Sequence, residues 1–116
     1  MVKEITIDGK KVKLKATAST AARYRRFFGR DLIVDFKAIQ ENQKNGTVTL
    51  EDCDRLQDLA YVLAWQAAKD DPEITIPDDP LDWLDTFEVF PMNEIFPIVM
   101  SLWMESMGTI AEPKKK

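Results

Sequence analysis

The chain has 116 residues, of which 45% are apolar and 31% charged, and a net charge of −4; this fits one globular domain that buries its own core without disulfide or metal staples. It contains no histidine and a single cysteine, Cys53. That excludes an intrachain disulfide, a Ser-His or Cys-His nucleophile pair and a structural zinc site.

The first fifteen residues alternate apolar and charged side chains and lack the apolar stretch of a signal peptide. Within residues 4–15, Ile5 and Ile7 alternate on one side of Asp8-Gly9, and Val12 and Leu14 on the other. Asp-Gly between two period-2 runs predicts a β-hairpin. A four-residue turn, Asp8 to Lys11, is preferred, because it sets Ile7 opposite Val12 and Ile5 opposite Leu14 on one face. A lone hairpin is marginal in water, so that face must pack on helices.

Ser19 or Thr20 caps a first helix running to Phe28, with Ala21, Tyr24, Phe27 and Phe28 as its apolar stripe and Gly29 as its C-cap. Asp31 opens a second helix lined by Leu32, Phe36 and Ile39, which ends near Lys44 before Asn45-Gly46. Thr49, with Asp52 three residues on, resembles a capping box for a third helix. Leu50, Cys53, Leu56, Leu59, Ala60, Leu63, Ala64 and Ala67 recur at helical spacing, and beyond Leu59 the other face is uncharged too. An all-round apolar helix is central, so this one is expected to be the spine of the core. Its charge-free stretch, Leu59 to Ala68, spans roughly 15 Å, about half a bilayer core. A soluble, cytoplasmic protein is therefore expected.

Asp70-Asp71-Pro72 stops the third helix, and Ile74 and Ile76 read as an extended linker or an edge strand. Asp79 caps a short helix with Pro80 at its first position, its apolar side made by Leu81, Trp83, Leu84 and Phe87. Pro91 starts the last helix, striped by Ile95, Ile98, Val99, Leu102, Trp103 and Met107, with Pro97 marking a kink or the true start and Gly108 the end. The fold class is mainly α: an N-terminal β-hairpin packed on a bundle of about five helices, in a single domain over 1–108. A disordered basic tail is expected over 109–116.

Charge is unevenly placed. Residues 1–30 carry nine Lys/Arg against Glu4 and Asp8, a net of +7. Residues 31–113 carry four basic side chains against eighteen acids, a net of −14, and the last three lysines add +3. An acidic body argues against a general nucleic-acid binder. The two halves can pair within one molecule or head-to-tail in a homo-oligomer.

No motif supports catalysis or a cofactor. The acids Asp70, Asp71, Glu73, Asp78, Asp79 and Asp82 lack the spacing and the glycine of a calcium loop. Arg23, Arg25, Arg26 and Arg30 interleave with Tyr24, Phe27 and Phe28. This fits aromatic rings inside with arginines outside, an interface for an acidic partner, or a small nucleic-acid-binding regulator that stacks single-stranded bases on the basic first helix. Trp83, Phe90, Trp103, Met104 and Met107 belong to an aromatic and Met-rich last third that suits a core or an adaptable protein-binding face. These arginines and these five apolar residues are the candidate protein-interface positions; no catalytic, cofactor or metal residue is expected.

The order of these stretches carries further information. Ile5 to Ala18 leads into Arg23-Tyr24-Arg25-Arg26-Phe27-Phe28-Gly29-Arg30-Asp31. Then come Leu59-Ala60-Tyr61-Val62-Leu63-Ala64, Trp83-Leu84-Asp85-Thr86-Phe87, Ile95-Phe96-Pro97, Leu102-Trp103 and a closing lysine run. Over nearly its whole length the chain resembles the tail assembly chaperones of long-tailed phages and prophages of Gram-positive bacteria. The resemblance implies a non-enzymatic protein of the bacterial cytoplasm, absent from the mature virion. It would bind the tape measure protein and keep it soluble while tail tube subunits polymerise around it. The tail tube protein and a frameshifted long form of the chain itself are further partners it implies. Lys114-Lys115-Lys116 is encodable by a slippery adenine run, so the tail marks either a programmed frameshift or a solubilising basic end.

Overall fold

A computed structural model of the protein describes residues 1–108; the expected tail over 109–116 and its lysine run lie outside the described residues. Asp8 and Gly9 both adopt left-handed backbone, with φ of 54° and 76°. Two successive positive φ values make the tight two-residue turn that matches strand twist. It joins β1 (Val2–Ile7) to β2 (Lys10–Lys15) in an antiparallel pair that sets Ile7 opposite Lys10, Ile5 opposite Val12 and Lys3 opposite Leu14. The four-residue turn favoured by the burial argument is therefore not formed. Both registers keep Ile5, Ile7, Val12 and Leu14 on one face, because they differ by two positions and side chains alternate with period two. Burial could not choose between them; the turn chemistry of Asp-Gly does. The price of this register is Lys10 on the inner face. Its ammonium lies 5.6 Å from the centroid of the Phe87 ring and donates to the Thr86 carbonyl, so the stem is covered and the charge stays solvated.

Five helices follow among the described residues: α1 (Thr20–Phe28), α2 (Leu32–Asn45), α3 (Leu50–Lys69), α4 (Pro80–Leu84) and α5 (Met92–Ser106). Their ends follow local chemistry. Asp31 accepts hydrogen bonds from the Ile33 and Val34 amides at the start of α2. Thr49 and Asp52 form a complete capping box on α3, and the Asp79 carboxylate accepts from the Leu81 amide ahead of Pro80. Gly29 and Gly46 close α1 and α2 in left-handed conformation. Ser19 precedes α1 but makes no side-chain cap; its hydroxyl pairs with Thr17 instead.

The α3 helix is the spine, packing against β2, α1, α2, α4 and α5. Leu56, Leu59, Ala60, Tyr61, Val62, Leu63 and Ala64 are buried on it, and hairpin residues Ile7 and Leu14 join the same apolar cluster. No helix among the described residues is long and apolar enough to cross a membrane.

Four apolar assignments fail at element ends, Met107 past the last turn of α5 among them. Leu50 is 84% exposed and Leu81 is also exposed, although both fall in phase with their stripes. Each is the first or second residue of its helix, beyond the reach of the packed body. Phe27 is 40% exposed rather than buried with Tyr24. Ile74 and Ile76 form no strand. Pro97 lies inside α5, at its sixth residue, and leaves the helix continuous on both sides.

Candidate protein-binding surface

The nine candidate contact residues separate into three environments. Trp83 and Trp103 are buried in the monomer. Trp103 packs edge-on against Phe36 at 4.7 Å between ring centroids, and Trp83 touches Tyr61, Phe87 and half-buried Phe90 at 5.4–5.9 Å. Neither tryptophan presents a face to a partner in this conformation. Met104 is half-buried against the core and Met107 is exposed at the end of α5.

The four arginines also divide. Arg30 is tied inward: Nε donates to Asp35 at 3.0 Å, and the terminal nitrogen donates to Asp58 at 2.6 Å and to the Tyr24 hydroxyl at 3.1 Å. Asp35 is buried and also accepts from Tyr24 at 2.7 Å, with Arg55 3.6 Å away. Burial, then the bond to Asp35, pushes the Tyr24 phenol well above the ordinary tyrosine range. Burial also raises the Asp58 carboxyl, against the pull of Arg30. Arg30 is thus a structural link between α1, α2 and α3. Arg23 stacks on Trp65, its guanidinium 4.8 Å from the ring centroid. Arg25 and Arg26 are exposed and make no ion pair among the described residues.

Part of the charge asymmetry is satisfied internally: Lys13, Lys15 and Arg30, three of the nine basic residues in 1–30, are ion-paired. Lys13 meets Asp71 at 3.4 Å, and Lys15 meets Asp70, so the basic hairpin is clipped to the acidic end of α3.

A candidate surface is marked by Phe27, the residue that the helical stripe assigned to the core. With Phe28, Tyr61, Trp65, Asp78 and Pro80 it lines an open groove of about 420 Å³ between α1, α3 and the turn before α4. The Phe27 ring stands edge-on to Trp65 at 5.3 Å and to Phe28 at 6.2 Å, and lies 6.3 Å from Tyr61. The Tyr61 hydroxyl donates to the Pro77 carbonyl at 2.6 Å, which anchors the turn that forms the far wall. Burial, then the nearby Asp78 and Asp79 carboxylates, raises the Tyr61 phenol. Sequence periodicity missed this groove because Phe27 is in phase with Tyr24; the available signal was three aromatics within about one turn of α1, Tyr24, Phe27 and Phe28, and the uncharged Tyr61-Trp65 face of α3.

A second concavity of about 430 Å³ lies between β2 and residues 73–77, over Trp83 and Phe87. Its rim is charged with both signs, and Lys10 and Lys13 are already engaged there. An aromatic wall gains more from being covered than ion pairs that already have partners. The Phe27 groove is the better docking surface on that ground. Among the described residues no group of His, Cys, Asp and Glu is arranged to hold a metal. The lone thiol, Cys53, is raised by burial and by Asp52 and Asp54, which makes it a poor nucleophile.

Comparison of the chain with protein-family models, with curated proteins and with solved structures finds no match.

Proposed function

We propose that the protein is a tail assembly chaperone of a long-tailed phage or prophage, holding the tape measure protein soluble by covering its apolar helical faces without catalysis. The observation that supports this reading is the open Phe27 groove, in which the exposed Phe27 ring stands beside half-buried Phe28 and Trp65 between two helices. Isolated exposed apolar residues are ordinary, but here exposed Phe27 adjoins half-buried Phe28 and Trp65 in one cleft, the kind of apolar surface that a partner can cover. Trp65, of a residue type enriched in binding hot spots, lines the cleft beside Phe27.

Apolar burial contributes roughly 25 cal/mol per Å² and is tolerant of sequence, which suits a client with a long repetitive helical surface. Several copies on one client gain avidity from being tethered to it. The tail tube protein and a frameshifted long form of the chain are proposed as further partners, acting in the bacterial cytoplasm before the tail is complete.

Co-expression with an aggregation-prone tape measure protein tests the reading. The client should move to the soluble fraction and co-purify with this chain. A client that stays insoluble beside well-folded chaperone removes the assignment. Salt separates the alternative, a nucleic-acid-binding regulator: phosphate-driven binding falls steeply between low and moderate salt, whereas apolar capture does not.

A further inference from the structure

The hairpin leaves part of its β2 edge unpaired. Met1 and Ala16 exchange two hydrogen bonds, the Met1 amino group donating to the Ala16 carbonyl at 3.1 Å and the Ala16 amide to the Met1 carbonyl at 2.8 Å. Bonded and non-bonded pairs alternate along an antiparallel ladder. Counting from Met1–Ala16, the bonded pairs are Lys3–Leu14, Ile5–Val12 and Ile7–Lys10. Lys11, Lys13 and Lys15 therefore aim their main-chain groups away from β1. The Lys15 carbonyl accepts a hydrogen bond from the buried Gln66 side chain at 2.7 Å. No hydrogen bond among the described residues reaches the main chain of Lys11 or Lys13 from the outer side.

This open stretch of β2 is one wall of the second concavity, which shares no lining residue with the Phe27 groove. Residues 73–77, which form no strand, make the opposite wall, and buried Ala64, Trp83 and Phe87 lie beneath. The volume, about 430 Å³, is that of a pocket for a drug-sized ligand. Lys13 is held by Asp71, and Lys10 by the Thr86 carbonyl. Between them Lys11 is exposed, with no ion-pair or hydrogen-bond partner for its side chain among the described residues. Glu4 and Glu73 are the other unpaired charges of the lining; Glu4 sits behind β2, on β1, and Glu73 on the far wall. Lys11 is therefore the free charge on the open edge itself.

We infer that this cleft accepts an extended segment of a partner protein as a third strand on β2, with an apolar residue over the floor and an Asp or Glu opposite Lys11. What the cleft offers is main-chain donors and acceptors rather than its ion pairs. A helix spends its own main-chain groups internally, so only an extended guest can answer them. Side chains directly opposite one another share a face of the sheet. A guest residue opposite Val12 thus points toward Ala64, Trp83 and Phe87, and its neighbour opposite Lys11 stands outward beside the free ammonium. Main-chain bonds supply affinity in strand addition, and the alternating side chains supply selectivity. The site is separate from the client-binding reading above and does not depend on it.

The test titrates the full chain with short end-blocked peptides and follows amide exchange by NMR. The first peptide is Thr-Val-Glu-Val-Thr, and the second carries Lys in place of Glu. The third is the first with its three central amides N-methylated. In the free protein the Lys11 and Lys13 amides should exchange fast, and the first peptide should protect them. The second should bind several-fold more weakly. The third should bind about tenfold more weakly, because it lacks ladder donors. Lys11→Glu changes an exposed side chain and should invert the ranking of the first two peptides, an effect that a loss of folding would not give. A first peptide that does not bind, binding without protection of Lys11 and Lys13, no effect of N-methylation, or an unchanged ranking in Lys11→Glu overturns the inference. So does protection of these amides in the free chain. If dilution removes that protection, a second copy fills the cleft; if deletion of residues 109–116 removes it, the chain's own end does; if neither does, residues 73–77 close on β2 themselves.

Discussion

The Tyr24 hydroxyl donates a 2.7 Å hydrogen bond to the buried carboxylate of Asp35, eleven residues away on the next helix. Arg30 bridges both groups, so one phenol, one carboxylate and one guanidinium fix the angle at which α1 leaves α2. That angle in turn sets Phe27 at the lip of the groove.

Removing one member of this triad should cost stability in a graded way. Tyr24→Phe deletes a buried bond to a charged acceptor and is expected to lose about 2 kcal/mol. Asp35→Ala takes the acceptor from both the Tyr24 hydroxyl and Arg30 Nε, while Arg30 keeps Asp58 and Arg55 keeps Glu51, and should lose about 3 kcal/mol. Urea denaturation of the two variants checks the order; equal losses would mean that the carboxylate is not the hub.

The raised Tyr24 phenol gives a prediction at alkaline pH. The unfolded chain ionises its tyrosines near 10.0, while folded Tyr24 keeps its proton to higher pH. The folded state then binds more protons than the unfolded one, so stability is fully present below that value and is lost as pH rises above it. Tyr24→Phe should flatten this decline in chemical denaturation curves measured between neutral and alkaline pH, with Tyr61 accounting for a smaller remaining slope.

Acid acts on the hairpin clip. Lys15 beside Asp70 holds that carboxyl below the ordinary 3.8, and the Glu73 amide, with Lys13, does the same for Asp71. A depressed carboxyl contributes stability above its unfolded value and loses it as pH falls through its folded one. Amide exchange of β2 should therefore accelerate as pH drops below about 4 relative to α3. In Asp70→Asn/Asp71→Asn the hairpin should already exchange faster at neutral pH and change less with acid.

Apolar residues in phase with the same kind of stripe should differ sharply in worth. Trp103→Ala empties a site packed against Phe36 and is expected to cost about 3–5 kcal/mol. Leu50→Ala, at 84% exposure, should change stability by less than about 0.5 kcal/mol. Thr49→Ala beside it should cost about 1 kcal/mol, because it breaks the capping box. Thermal or urea unfolding of the three variants gives the ranking directly.

Element type, helix starts and the central place of α3 were legible in the residues, because caps such as Thr49-Asp52 and stripes such as Leu56 to Ala67 are local chemistry and report themselves at short range. The hairpin's existence was equally local, and so was its turn, once the left-handed preference of Asp8-Gly9 is weighed above face matching. What pairing along the chain cannot show is which in-phase residue finds a neighbour. Leu50 and Phe27 obey helical periodicity and yet face solvent, while Trp83 and Trp103, equally plausible as surface anchors, are closed in by α3 and α2. Only the packing of α1 on α3 decided that Phe27 would stand open beside half-buried Trp65, and that Arg30 would be tied inside the molecule. Burial is a property of three-dimensional neighbours many residues apart, whereas propensity and capping act within a turn or two of helix.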